Sequence, residues 1–209
     1  MNIIKPGFEI LDELNGAAIL AKIEKCGRVC YKSEGKIVPP GNDGSGSAAR
    51  FVSSIIARGH ESVLEHFSFS VRFVADRGVS HEIVRHRIAS FSQESTRYCN
   101  YATGDVTFIE PLFFAPGTES YAEWEKLCSR AEETYLSMLR SGVTPEKARS
   151  VLPNSLKTEL IMTANLREWR HFLKLRTDKS AHPQMREVAV PLLSELKEKI
   201  PVIFDDISG

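Results

Sequence analysis

Apolar and polar positions change period several times along the chain, and each change marks an expected element. From Leu14 to Tyr31, apolar residues recur three and four apart (Ile19, Leu20, Ile23), the spacing of an amphipathic helix. Pro39-Pro40-Gly41-Asn42-Asp43-Gly44-Ser45-Gly46-Ser47 is a loop by composition, too short for an interdomain linker. Helical spacing resumes from Ala48 to Arg58. Phe67-Ser68-Phe69-Ser70-Val71-Arg72-Phe73-Val74 then alternates at period two with aromatic and β-branched residues, the clearest strand in the chain. A short helix is expected from Val79 to Arg87, followed by a serine-rich stretch, Ile88 to Tyr101, passing from loop into strand. Helices are expected from Ser120 to Leu139 and from Pro145 to Leu152, the second opened by Thr144 and Pro145. Leu156 to Ala164 reads as a strand. Asn165 and Glu168 have capping-box spacing and open a helix to about Arg176. A last helix spans Gln184 to Lys199. With no internal repeat and no break in composition, the expectation is one α+β domain over residues 1–209.

Composition narrows the functional classes. Of 209 residues, 42% are apolar and 26% charged, an ordinary globular mix that excludes disorder, collagen and coiled coil. The 27 basic residues balance 27 acidic ones, so the chain lacks the overall footprint of a nucleic-acid or anionic-membrane binder. An anionic ligand must then be held by a local cluster of arginines. No apolar run approaches the roughly 20 residues of a membrane span, and Met1-Asn2-Ile3-Ile4-Lys5-Pro6 lacks the layout of a secretion signal. Cys26, Cys30, Cys99 and Cys128 form no zinc or redox spacing, and Cys26 and Cys30 are expected to pack as small hydrophobes. The expectation is a cytoplasmic protein with reduced thiols.

The densest polar constellation runs from Arg85 to Arg97, with three arginines, His86, three serines and Gln93 in thirteen residues. Guanidinium groups suit phosphate because their planar fork donates two parallel hydrogen bonds. Between Arg87 and Ser95 the chain can extend roughly 26 Å, so one segment could reach two ligands. A solvated helix end followed by a polar surface loop accounts for the same residues equally well. Arg176 also stands out. Leu166, Trp169 and Leu173 form an apolar stripe, and Arg176 takes the next place on it. It either snorkels its charge to water at the last helical turn or belongs to a site. His60-Glu61 resembles the start of a zinc-binding H-E-x-x-H, but Leu64 stands where the second histidine should be, so no metal is expected.

Arg85-His86-Arg87, seven residues and then Ser95 match the R-H-R-x(7)-S signature, and on it the chain resembles the flavin-dependent thymidylate synthases. The resemblance extends to Gly59-His60-Glu61-Ser62-Val63-Leu64-Glu65-His66, to Ala148-Arg149-Ser150-Val151-Leu152-Pro153, and to Thr163-Ala164-Asn165-Leu166-Arg167 continuing through Leu173-Lys174-Leu175-Arg176. It implies methylation of dUMP to dTMP, with methylenetetrahydrofolate giving the carbon, FAD the hydride, and NADPH reducing the flavin. Tetrahydrofolate is released. It also implies an α/β fold with a central, mainly antiparallel sheet flanked by long helices, and a homotetramer whose active sites are shared between subunits.

Carried over by resemblance, the FAD set is His60, Ser62, Glu65, Arg85, His86, Arg87, Asn165, Arg167 and His171. The dUMP set is Glu82, Arg85, Gln93, Ser95, Thr96, Arg97, Arg149 and Arg176. Arg176 would be the catalytic residue, a fixed cation stabilising negative charge on the uracil ring. Three positions depart from the family pattern: His171 replaces a common asparagine, and Glu82 and Gln93 stand where glutamine and glutamate are usual. Ser95 and Cys99 are not read as nucleophiles, because neither has a base or motif context. Two rivals remain: another flavoenzyme acting on pyrimidine nucleotides, and an RNA-binding module using Arg85 to Arg97.

Overall fold

The computed structural model describes residues 1–39, 46–103 and 106–209, so residues 40–45 of the expected Pro39–Ser47 loop lie outside the described residues. Its elements are β1 (Asn2–Ile4), β2 (Gly7–Ile10), α1 (Gly16–Val29), α2 (Ala48–Ala57), β3 (Ser68–Asp76), α3 (Arg77–Ile83), β4 (Ala89–Gln93) and β5 (Thr107–Ile109). They continue with α4 (Glu119–Arg140), α5 (Pro145–Ala148), β6 (Lys157–Asn165), α6 (Leu166–Arg176) and α7 (Pro183–Lys199). Short 3-10 turns cover Glu34–Lys36, Glu61–His66, Tyr101–Thr103 and Arg149–Val151. The α+β fold expected from the sequence is present.

A four-stranded sheet has the order β2-β3-β6-β4, and β1 pairs in parallel with β5. Strands β3 and β6 run antiparallel: Phe67 meets Leu166, Ser70 meets Thr163, and Arg77 meets Leu156. Each buries every second side chain, Phe69, Val71, Phe73 and Ala75 on β3 and Thr158, Leu160, Met162 and Ala164 on β6. Period-two sequence thus becomes a one-sided apolar face.

The chain divides into two compact units, and β3 and β6 each run from one into the other. The first comprises Met1–Glu9, Arg72–Arg85 and Phe91–Ile161. Its core gathers Cys128 and Tyr135 of α4 with Val106, Phe108, Ala148 and Leu156. The second comprises Ile10–Val71, His86–Ser90 and Met162–Gly209. Here Trp169 of α6 stacks on Phe69 at 4.9 Å and donates its indole N–H to the Phe69 carbonyl at 3.1 Å. Helix α6 also packs on α7 and on the Glu61–His66 turn. Arg170, 1% exposed, ties the second unit together. It donates to Glu61 Oε1 at 3.1 and 3.0 Å, to both carboxylate oxygens of Asp206 at 2.7 and 2.8 Å, and to the Ile203 carbonyl.

Several local expectations need correction. Helix α3 stops at Ile83, so Arg85, His86 and Arg87 are not helical. The chain passes from the first unit into the second between Arg85 and His86, and a continuing helix would hold all three residues on one rod. In the serine-rich stretch the strand comes first, as β4, and the loop follows. Cys30 is exposed at the end of α1, and only Cys26 of that pair is partly buried.

Candidate active site

In the first unit, α3, β4 and the loop after it gather the residues expected to hold the nucleotide. Asp76 caps α3 by accepting from the Val79 amide at 2.7 Å, which fixes the helix that ends beside Glu82 and Arg85. Gln93, at the end of β4, donates through Nε2 to Ser80 Oγ of α3 at 2.9 Å and to Thr158 Oγ1 of β6 at 3.2 Å. Beyond β4 the backbone turns on Ser95, whose carbonyl accepts from the amides of Tyr98 and Cys99. Ser95 Oγ accepts from the Arg97 amide at 3.3 Å, an ordinary turn contact for a serine hydroxyl. Arg149 Nη1 donates to the buried Thr96 Oγ1 at 3.0 Å, joining segments 53 residues apart. Arg97 is half exposed and only loosely paired, 4.0 Å from Glu146. Gln93, Ser95, Thr96, Arg97 and Arg149 are therefore neighbours in one unit, and Glu82 and Arg85 share that unit at the end of α3.

The second unit holds the residues expected to meet the flavin, apart from Arg85, together with Arg176. Asn165 caps α6, its Oδ1 accepting from the Glu168 amide at 2.9 Å. From that start, Arg167 reaches Glu65 Oε1 of the Glu61–His66 turn at 2.6 Å, in an exposed pair. One turn later His171 meets His86 edge-on, with ring centroids 5.4 Å apart. His60 and Ser62 lie exposed at the start of the same turn. Arg87 is also exposed.

His86 is the buried centre of this set, 4% exposed and packed edge-on against Phe172 at 4.9 Å. Its Nε2 accepts from Arg176 Nε at 3.1 Å, which places the imidazole proton on Nδ1. Nδ1 lies 3.3 Å from Glu168 Oε1 but outside hydrogen-bonding geometry, and no partner among the described residues satisfies it. Burial, then the Arg176 guanidinium, then His171 push the His86 pKa from 6.5 down to about 4, so the ring is neutral at pH 7. Burial raises the Glu168 carboxyl above the usual range, with His171 opposing the shift. Glu168, buried at the third position of α6, has no counterpart among the residues expected from sequence. A carboxylate at that position reads there only as half of a capping box.

His86, Glu168 and His171 bring one potential ligand atom each to within 4.8 Å of one another. A metal ion there would sit against the Arg176 guanidinium, already 3.1 Å from the other His86 nitrogen. Glu61, next to His60, is occupied by Arg170. This donor set suits an anionic, ring-bearing cofactor better than a cation. It combines exposed Arg87 and Arg167, an imidazole at His171, and a buried His86 N–H without a partner.

A family model described as thymidylate synthase complementing protein, Thy1, matches residues 12–202. The chain belongs to this family. Among Thy1 relatives, a flavin-dependent thymidylate synthase of Thermococcus onnurineus is 39% identical over 156 residues, covering 71% of this chain and 63% of that protein. One of Pyrococcus furiosus is 40% identical over 149 residues, covering 69% and 61%. One of Geobacter sulfurreducens is 34% identical over 188 residues, covering 89% and 81%. The chain therefore spans about three fifths of the length of the two archaeal relatives. Among the described residues, no helix is long and apolar enough to cross a membrane.

Proposed function

We propose that this chain is a flavin-dependent thymidylate synthase acting in the cytoplasm as one domain. It would methylate dUMP to dTMP with FAD as cofactor and NADPH and 5,10-methylenetetrahydrofolate as co-substrates. Membership of the Thy1 family supports this reading, as do relatives bearing that name. The observation that carries it at the site is the Arg176–His86 contact: a neutral imidazole accepts from Nε and holds the guanidinium in one plane.

The chain's own residues do the following in this reading. In the first unit, Arg97, Arg149 and the hydroxyls of Ser95 and Thr96 hold the nucleotide phosphate and sugar, with Gln93, Glu82 and Arg85 beside them. Arg149 is steadied by Thr96, so the fork presents itself already oriented. In the second unit, Arg87, Asn165, Arg167, His171, His60, Ser62 and Glu65 bind the flavin. Bound FAD supplies the hydride. Arg176 stabilises negative charge on the uracil ring as the ring becomes nucleophilic, the role of a preorganised cation. His86 stays neutral, so it accepts from Arg176 without competing for the developing anion. The reading includes a homotetramer with shared sites, in which residues of neighbouring subunits complete each pocket.

The test is a visible spectrum after FAD reconstitution, followed by an assay of dUMP-dependent NADPH oxidation and dTMP formation with methylenetetrahydrofolate. Flavin bands and dTMP are expected. A colourless protein, or a yellow one that makes no dTMP, would overturn the proposal. Arg176→Ala should keep the flavin bands and lose at least about a hundredfold in turnover, the size typical of a lost charge-stabilising donor.

A further inference from the structure

In the first unit, the atoms around the Gln93 side chain settle which way its amide faces. Nε2 donates to Ser80 Oγ at 2.9 Å and to Thr158 Oγ1 at 3.2 Å, so both of its protons are used. Ser80, 1% exposed, in turn donates from Oγ to the Arg77 carbonyl at 2.9 Å. A hydroxyl has one proton to give. With that proton on Arg77, Ser80 Oγ can only accept, and an amide oxygen turned toward it would meet a lone pair. Thr158 Oγ1 could serve either end of the amide, because no such bond commits its proton among the described residues. Ser80 therefore decides the orientation.

The consequence is an uncharged acceptor held in place. Gln93 Oε1 has no hydrogen-bond partner among the described residues, and it is not buried. The flipped amide would present two N–H donors at the same spot. A deoxyuridine nucleotide carries its own donors at the sugar hydroxyl and the ring N3–H, and only an acceptor can take them. A glutamate at position 93 would have no proton for Ser80, whose hydroxyl would have to leave Arg77 to reach it. Its full charge would also stand in the unit that holds Arg97 and Arg149 for the phosphate, repelling that phosphate. A neutral amide with its oxygen outward avoids both costs, and fixing it beforehand spares the ordering on binding.

We propose that Ser80 is a positioning residue for the nucleotide, holding the Gln93 amide with its oxygen outward as an acceptor for a donor group of dUMP. It touches no substrate itself and acts through Gln93. The identity of the nucleotide rests on the proposed function, whereas the orientation of the amide does not.

The chain has two glutamines, Gln93 and Gln184, so [15N]glutamine labelling gives two side-chain amide pairs, which Gln93→Ala assigns. In Ser80→Ala the Gln93 pair is expected to move and the Gln184 pair to stay. Calorimetric titration with dUMP reads the consequence. Ser80→Ala should weaken binding roughly fivefold, the worth of one lost hydrogen bond, and should cost nothing further in the Gln93→Ala background. In turnover the same loss should appear in KM for dUMP, with kcat and flavin content kept. Thr158→Val, on β6, should move the same amide pair with a smaller loss of affinity, because Ser80 still sets the orientation. A melting curve checks that each variant folds. A merely structural Ser80 would cost affinity whether or not Gln93 is present, so additive losses would overturn the proposal. An unmoved Gln93 pair in Ser80→Ala would overturn it too. If the wild type binds no dUMP, the functional reading fails and takes the nucleotide role with it, while the amide signals still decide whether Ser80 holds Gln93.

Discussion

His86 shows how one side chain can be structural and chemical together. Its ring is packed like a core aromatic, yet one nitrogen faces Arg176 and the other Glu168. Protonation would bury a second positive charge against the guanidinium, which is why the folded state holds the ring neutral down to about pH 4. The unfolded chain takes up the proton near 6.5, so falling pH favours unfolding. Stability from this group is whole above 6.5, is lost progressively toward pH 4, and changes no further below that. The loss can reach about 3 kcal/mol. Glu168 contributes with the opposite sign, but it is common to wild type and variant. Urea unfolding at pH 7 and pH 4.5 should therefore show a steeper fall for wild type than for His86→Asn. Equal falls would mean the ring titrates normally in the folded protein.

At the scale of elements, the contact of α1 with α2 depends on a missing side chain. A Cβ on Gly27 would stand 2.7 Å from Cε1 and Cζ of Phe51 and 3.2 Å from Val63 Cγ1. Alanine would gain about 1 kcal/mol in helix propensity. Overpacking typically costs about 1–3 kcal/mol, and Phe51 cannot swing away freely because Arg28 lies over it. Overpacking wins, and Gly27→Ala should lower the melting temperature by a few degrees. A rise would show that the ring gives way without cost. The sequence held no trace of this contact, because periodicity within α1 says nothing of what faces it. Strands β1, β2 and β5 escaped for a related reason: three or four residues are too few to display a period, and the β1–β5 pairing joins distant segments. By contrast α6 was legible almost to the residue. Its cap at Asn165 is local chemistry, and its stripe of Leu166, Trp169 and Leu173 is buried as the spacing required.

Across the whole molecule, the balanced charge conceals two populations of arginine. Arg85, Arg87, Arg97, Arg149 and Arg167 of the candidate set are exposed, and Arg176 is partly buried. Arg28 and Arg170 are held by acids and serve the framework. Nothing local distinguishes Arg170 from Arg167, three positions earlier on the same helix. The difference comes from Glu61 and Asp206, which only the fold brings to Arg170. The last residues were equally opaque. No element is expected from the sequence past Lys199, yet Ile203, Phe204 and Ile207 are buried beyond the end of the family match at residue 202. Motif residues could be found because their spacing lies within short segments. Glu24, the buried partner of Arg28, and Glu168 could not, because a buried acid announces itself only through its partners.

The exposed thiol of Cys30 stands at the end of α1, while Cys128 is buried and Cys26 and Cys99 are partly so. The protein thus carries a native chemical reporter. A limiting amount of a maleimide dye should alkylate Cys30 first, and mass mapping of the labelled peptide checks this. Preferential labelling of Cys99 would mean that the end of α1 is closed in solution.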